Sequence, residues 1–309
     1  MRIVIIRPAA IGDTLLTFPV IESLRARYAP DLHITLVGNA AVLPLARALG
    51  LVEAVCAYDE PRWAALFTTQ PSGLDEALGG VLRDADLVVA WLHDPEGVIA
   101  HKLRFFCVKQ TVIVPGRPAE GERVHIVEYL ARSLGLTTLS APCYALRLRA
   151  AIEPDLATSQ AARCLVIHPG SGGARKCWSP AHFAELIPMV WQRGYAVLLL
   201  AGPADHERLD TITCLLPAPP RAEALTTLVD KPLVELAQRL LSCSGYVGND
   251  SGITHLAALL GLPTLALFGP SDPCIWRPYG RAVHVVHTPD LAHLPPYEVM
   301  SNLQASGLA

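Results

Sequence analysis

Residues 164–180 read CLVIHPGSGGARKCWSP. Cys164–His168 is a short unbroken apolar run, the pattern of a strand buried on both faces. Pro169–Gly173 is a glycine loop, and Ser179-Pro180 caps and opens a helix that runs to Gln192 and ends at Gly194. The amino terminus follows the same order. Arg2–Arg7 (RIVIIR) predicts a buried strand. Gly12-Asp13 then opens a helical spacing of Leu15, Leu16, Phe18, Val20, Ile21 and Leu24, which Pro19 is expected to kink. Strand, turn and helix therefore start twice in one chain.

Outward from these two points the alternation continues. Strands are expected at His33–Gly38, Ala54–Tyr58, Leu87–Leu92 and Thr111–Val114, with Asn39 capping a helix over residues 40–49 and further helices near Gly97–Val108 and Val124–Leu134. A polar, proline-containing stretch at residues 149–160 (RAAIEPDLATSQ) reads as a linker. Beyond it come strands at Cys164–His168, Ala196–Ala201, Gly245–Val247, Thr264–Phe268 and Ala282–His287, with helices at Pro232–Leu241 and Ser251–Leu260. Alternating strands and helices imply parallel sheets. Two sets imply two doubly wound α/β domains, residues 1–155 and 156–309, facing a cleft. Ligands of such domains sit outside the carboxyl ends of the strands.

Composition narrows the function classes. The chain has 309 residues, 51% hydrophobic and 17% charged, which excludes a disordered chain. With 25 basic and 28 acidic residues the net charge is −3, and aromatics are 6%, so nothing points to a nucleic-acid partner. No stretch reaches the ~18 uninterrupted apolar residues of a membrane span, and the amino-terminal apolar run reads as a strand, not a signal peptide. Eight cysteines without a CxxC pair read as reduced, mostly buried thiols of a cytoplasmic protein, and the same lack of paired ligands disfavours zinc.

Three turns carry candidate chemistry. Gly248–His255 (GNDSGITH) is strand, small-residue turn, then helix, and free amides at the helix start with the positive end of its dipole make an anion site. Asp250 could cap that helix or accept from sugar hydroxyls, and His255 could reach the ligand. An ordinary capping turn is the plainer alternative. Gly170, Gly172 and Gly173 form a loop ending at Lys176; it is not a P-loop, but its amides and one ammonium can neutralise a leaving phosphate. After the first strand, Ile11-Gly12-Asp13-Thr14 lacks the GxGxxG of a dinucleotide site and offers Asp13, a general base or a helix cap. Asp84-Ala85-Asp86 precedes its strand and so lies away from the ligand end. His284 and His287 have no partners at ligand spacing. The segment 101–106 (HKLRFF) is a core helix with solvated Lys and Arg or a surface-facing patch.

These residues resemble glycosyltransferase family 9, the heptosyltransferases. The resemblance rests on Arg7–Asp13 (RPAAIGD), Pro169–Trp178 (PGSGGARKCW), Asp250–Ala258 (DSGITHLAA) and Phe268–Pro273 (FGPSDP), in order and over nearly the whole chain. It implies a GT-B fold of two Rossmann-like domains, acceptor site in the first and donor nucleotide-sugar in the second. It also implies an inverting, metal-independent transfer of heptose from an ADP-heptose donor to the lipopolysaccharide inner core, with no cofactor. Carried over residue by residue, Asp13 is the base, with Arg7 and Gly12 on the acceptor side. Lys176 binds donor phosphates, as do Ser171, Gly172 and the amides of Ser251 and Gly252. Asp250 meets the sugar, His255 lies on the donor side, Glu207 binds ribose hydroxyls and Lys231 lines the adenine pocket. The sequence departs from the family at Ala9-Ala10, where a small hydroxyl pair is usual, and at Ser179, which separates Trp178 from Pro180. The partners implied are a nucleotide-sugar and a lipid-linked oligosaccharide, with peripheral contact at the inner membrane face. Other readings are a different GT-B nucleotide-sugar enzyme, such as a UDP-sugar epimerase, and a catalytically degenerate nucleotide-binding protein.

Overall fold

A computed structural model describes residues 1–67, 74–106, 108–139, 144–150 and 163–308. The chain divides into two units, Met1–Pro142 and Cys143–Ala309. The expected linker lies outside the described residues from position 151 onward; its first two residues end the helix Tyr144–Ala150.

The first unit holds five strands: β1 (Arg2–Ile6), β2 (His33–Gly38), β3 (Ala54–Ala57), β4 (Leu87–Trp91) and β5 (Gln110–Val114). All pairs are parallel, in the order β3-β2-β1-β4-β5. In β1, Ile3 to Ile6 are at most 3% exposed, as an apolar run between two helical layers must be. Ile3 sits beside Ile34 on one side and Leu87 on the other. The second unit holds β6 (Cys164–His168), β7 (Ala196–Ala201), β8 (Leu225–Val229), β9 (Gly245–Asn249), β10 (Thr264–Phe268) and β11 (Val283–His287). These are again parallel, in the order β11-β10-β9-β6-β7-β8. In each unit the first strand lies next to the fourth, so the order reverses there. That reversal makes the gap at the carboxyl ends of β1 and β4, and of β6 and β9, where ligands of such sheets bind.

Several elements differ from the sequence expectation. The first helical stretch is two helices, Ile11–Leu15 and Phe18–Tyr28, because Pro19 takes the first turn of the second, where its missing N–H costs nothing. Asn39 does not cap a helix: its side chain accepts from the Ala41 amide in a turn, and the helix Leu43–Ala48 starts around Pro44. β8 escapes sequence reading because it is an edge strand with Thr226 and Thr227 exposed. The helix Pro296–Ala305 also lacks a clear signal, yet its Val299, Met300 and Leu303 complete the apolar core with Phe183, Leu186 and Ile187 of the helix Pro180–Gln192. The cysteines are less buried than expected. Of the six described, only Cys56 is buried, and Cys214 and Cys274 are exposed; Cys107 and Cys143 lie outside the described residues. In the helix Val98–Phe105, Lys102 is not solvated but buried, its ammonium bonded to the Ala65 carbonyl, whereas Arg104 and Phe105 face solvent. Asp86 closes the amino end of the first sheet, accepting from the Arg2 amide and from Lys109.

Candidate active site

In the first unit the carboxyl end of β1 delivers Arg7. Its side chain is only 3% exposed, and the guanidinium donates to Asp13 Oδ1 at 2.9 Å and to the Gly116 carbonyl at 2.7 Å. Gly116 has to be glycine, because a Cβ there would lie 2.0 Å from the Arg7 Nη1. Asp13 is in the first turn of the helix Ile11–Leu15, where the dipole favours an anion, and its side chain is 29% exposed. It is not the cap, which is Ala10. Burial pushes the Arg7 guanidinium below its ordinary value while the adjacent Asp13 charge pulls it back up. The outcome is an oriented, partly exposed carboxylate beside a buried cation. Arg7 is enclosed by Asp13 and backbone carbonyls, and Gly12, next to Asp13, is partly exposed.

In the second unit the turns after β6 and β9 lock together. Asn249, the last residue of β9 and fully buried, donates to the Pro169 carbonyl at 2.8 Å and accepts from the Trp178 amide at 2.9 Å. Trp178 is itself buried and donates from Nε1 to the Leu294 carbonyl at 2.8 Å. With both ends of the glycine loop held, Ser171 donates to the Asp250 carbonyl at 2.5 Å, and Lys176 Nζ lies 2.7 Å from Asp250 Oδ2. His255 Nε2 is 3.8 Å from the other Asp250 oxygen. The Asp250 side chain is 6% exposed and that of Lys176 41%, so a buried carboxylate anchors a partly exposed lysine. Ser251, not Asp250, caps the helix Gly252–Leu259, its Oγ accepting from the Thr254 amide at 3.3 Å. The amides of Gly252 and Ile253, in the first turn of this helix, have no acceptor within it. Gly172 is open: a Cβ there meets nothing within 4 Å.

Sequence reasoning therefore finds Ser171, Lys176, Asp250, Ser251 and His255 and the structure brings them together, with Gly172 in the same loop. Glu207 and Lys231 stand in other turns. Glu207 is exposed near the start of the helix His206–Leu215, and Lys231 follows β8, paired with Glu235 at 3.1 Å. Asn249, His168 and Asp205 are the residues missed. Each is a polar side chain buried at the carboxyl end of a strand or just beyond it. For His168 and Asn249 a polar residue closing an apolar strand run was the available signal. Asp205 lies two residues before Glu207, buried where Glu207 is exposed, and its Oδ2 accepts from the Gly202 amide at 3.0 Å.

Comparison with known proteins gives this geometry a family. Lipopolysaccharide heptosyltransferase 2 of Salmonella typhimurium is 32% identical over 114 residues, which is 37% of this chain and 33% of that protein. Lipopolysaccharide heptosyltransferase 1 of Pseudomonas aeruginosa is 35% identical over 123 residues, 39% of this chain and 33% of that protein. The matched stretch thus spans about a third of these curated relatives. The solved E. coli heptosyltransferase WaaC with ADP shares the fold, with a TM-score of 0.77 at 20% identity over 99% of this chain and 100% of that one. The profile described as glycosyltransferase family 9 (heptosyltransferase) matches residues 124–305, which hold the whole Lys176–Asp250–Ser251 group and more than half of the sequence. The chain belongs to glycosyltransferase family 9, the heptosyltransferases.

Proposed function

We propose that this chain transfers a heptosyl group from an ADP-heptose donor to a lipopolysaccharide inner-core acceptor, with inversion at the anomeric carbon. The observation that carries this reading is the exposed ammonium of Lys176 beside the amino end of the helix Gly252–Leu259, at the switch point of a family 9 sheet. That is a site for the diphosphate of a nucleotide-sugar, with Ser171 and Gly172 in the same loop. Asp250 and His255 serve the sugar side, Glu207 the ribose and Lys231 the base. The second unit is the donor unit in this reading and the first the acceptor unit.

The reaction is a single displacement. The acceptor hydroxyl gives its proton to the Asp13 carboxylate and its oxygen attacks the anomeric carbon. The bond from that carbon to the β-phosphate oxygen breaks, and the electron pair leaves on ADP. Lys176 and the amides at Ser251 and Gly252 meet the charge growing on the departing phosphate, a contribution commonly worth ~10²-fold or more in rate. Arg7 holds Asp13 in place; from its burial its part is to position the base, while Gly12 leaves room for the acceptor. Because the acceptor is lipid-linked, the reading places the enzyme at the cytoplasmic face of the membrane by peripheral contact. Among the described residues no helix is long and apolar enough to cross a membrane.

The test is transfer from ADP-heptose to a truncated inner-core acceptor, with the anomeric configuration of the product read by NMR. Release of ADP with formation of an inverted heptosyl linkage is the expected result. Binding of UDP or GDP in preference to ADP, or hydrolysis without transfer, would overturn it.

A further inference from the structure

We infer that His168 and Asp205 are positioning residues that fix the Ser251 hydroxyl, and with it the first turn of the helix Gly252–Leu259. The inference rests on the proposed phosphate site and adds a layer beneath it. His168 closes β6 and is 5% exposed. Its Nδ1 lies 3.2 Å from Ser251 Oγ and its Nε2 lies 3.4 Å from Asp205 Oδ2. Asp205 is 6% exposed and is fixed in turn by the Gly202 amide. The space it fills exists only because residue 170 is glycine: a Cβ there would lie 2.1 Å from Asp205 Oδ1. A glycine kept free for a buried carboxylate, and an imidazole held between that carboxylate and a helix cap, make a built arrangement.

The chemistry of the chain sets its direction. Burial pushes the Asp205 carboxyl up, but the hydrogen bonds from His168 and the Gly202 amide and the nearby Arg208 charge outweigh it, so the group stays ionised. An ionised carboxylate only accepts, so Nε2 carries a proton and Nδ1 is the nitrogen turned to Ser251. On its other side Ser251 Oγ accepts from the Thr254 amide and lies 3.0 Å from Thr254 Oγ1. Thr254 Oγ1 in turn lies 3.0 Å from the Tyr246 hydroxyl and donates to the Asn249 carbonyl. The cap oxygen thus donates to His168 Nδ1 and accepts from the Thr254 amide, and these two bonds from opposite sides hold it at the turn. The order acid, imidazole, hydroxyl is that of a hydrolase triad, but here the hydroxyl is engaged with its own helix, so the assembly holds amides in place and does not supply a nucleophile.

The experiment uses Asp205→Asn, which keeps the volume but lets an amide donate to the imidazole, and His168→Asn, which keeps a polar group near Nδ1 and loses the link to Asp205. The affinity for ADP, the donor and acceptor KM and kcat are measured for both variants, for the double variant and for the parent, and the ¹⁵N shifts of His168 for the parent and Asp205→Asn. Each single variant is expected to weaken ADP about tenfold, the loss of roughly one charge-assisted hydrogen bond. Donor KM should rise with little change in acceptor KM or kcat. The double variant should be no worse than the weaker single one, since both act through one chain. The His168 spectrum should show the proton on Nε2 in the parent and a shifted tautomer in Asp205→Asn. Unchanged ADP affinity in Asp205→Asn, or additive losses in the double variant, would overturn the inference. If the parent itself binds no ADP, the functional reading fails instead, and the tautomer in the free protein still decides whether Asp205 orients His168.

Discussion

The two units carry the same device with opposite polarity. At the β1/β4 end of the first unit, Arg7 is buried and its partner Asp13 is open; the side chains are 3% and 29% exposed. At the β6/β9 end of the second, Asp250 is buried and its partner Lys176 is open, at 6% and 41%. Each buried charge is compensated by its ion pair, and Arg7 also by the Gly116 carbonyl, as a buried charge must be. The charge left facing outward defines what each unit can do. One presents a carboxylate that can take a proton, and the other an ammonium that can take a phosphate.

The largest expected effect comes from the open carboxylate. Asp13→Asn keeps the shape and removes the base, so transfer should fall by ~10²-fold or more, with ADP binding nearly unchanged; retention of parental turnover in a steady-state transfer assay would remove the base role from the first unit. Next is the open ammonium. Lys176→Ala should weaken ADP by about tenfold or more and should weaken AMP and adenosine much less, measured by calorimetry. Equal losses across the three would place Lys176 away from the diphosphate and break the opposition between the units. Gly170→Ala comes third, because it pushes a methyl group into the Asp205 carboxylate. It should cost about 1–3 kcal/mol in chemical denaturation, and an unaltered midpoint would mean the loop can shift. The smallest is Ser251→Ala, which removes the cap and should cost ~1 kcal/mol of stability, read by the same denaturation. Comparing that loss with the loss in ADP affinity sharpens what the cap contributes to the site.

The first unit was the harder to read. Arg7 reads in sequence as the polar end of a strand, and its resemblance-based place is on the acceptor side; its burial against Asp13 and Gly116 depends on a loop more than a hundred residues away. In the second unit Lys176, Asp250 and Ser251 were legible because they sit in small-residue turns after apolar runs. Which of Asp250 and Ser251 would cap the helix was not legible, since both residue types suit the position. The structure gives the cap to Ser251 and leaves Asp250 for Lys176.

By itself the sequence determined two parallel α/β units, the position of the ligand-side turns after β1, β6 and β9, and the residue types that could do chemistry there. Those follow from local rules: apolar runs make buried strands, and glycine, serine and aspartate make the turns between them. Only the tertiary structure decided which partner of each ion pair is buried, that Asn249 and Trp178 hold the loop, and that His168 and Asp205 lie beneath Ser251. These depend on which strands become neighbours across the reversal in sheet order, a pairing of segments far apart in the chain that no local pattern encodes.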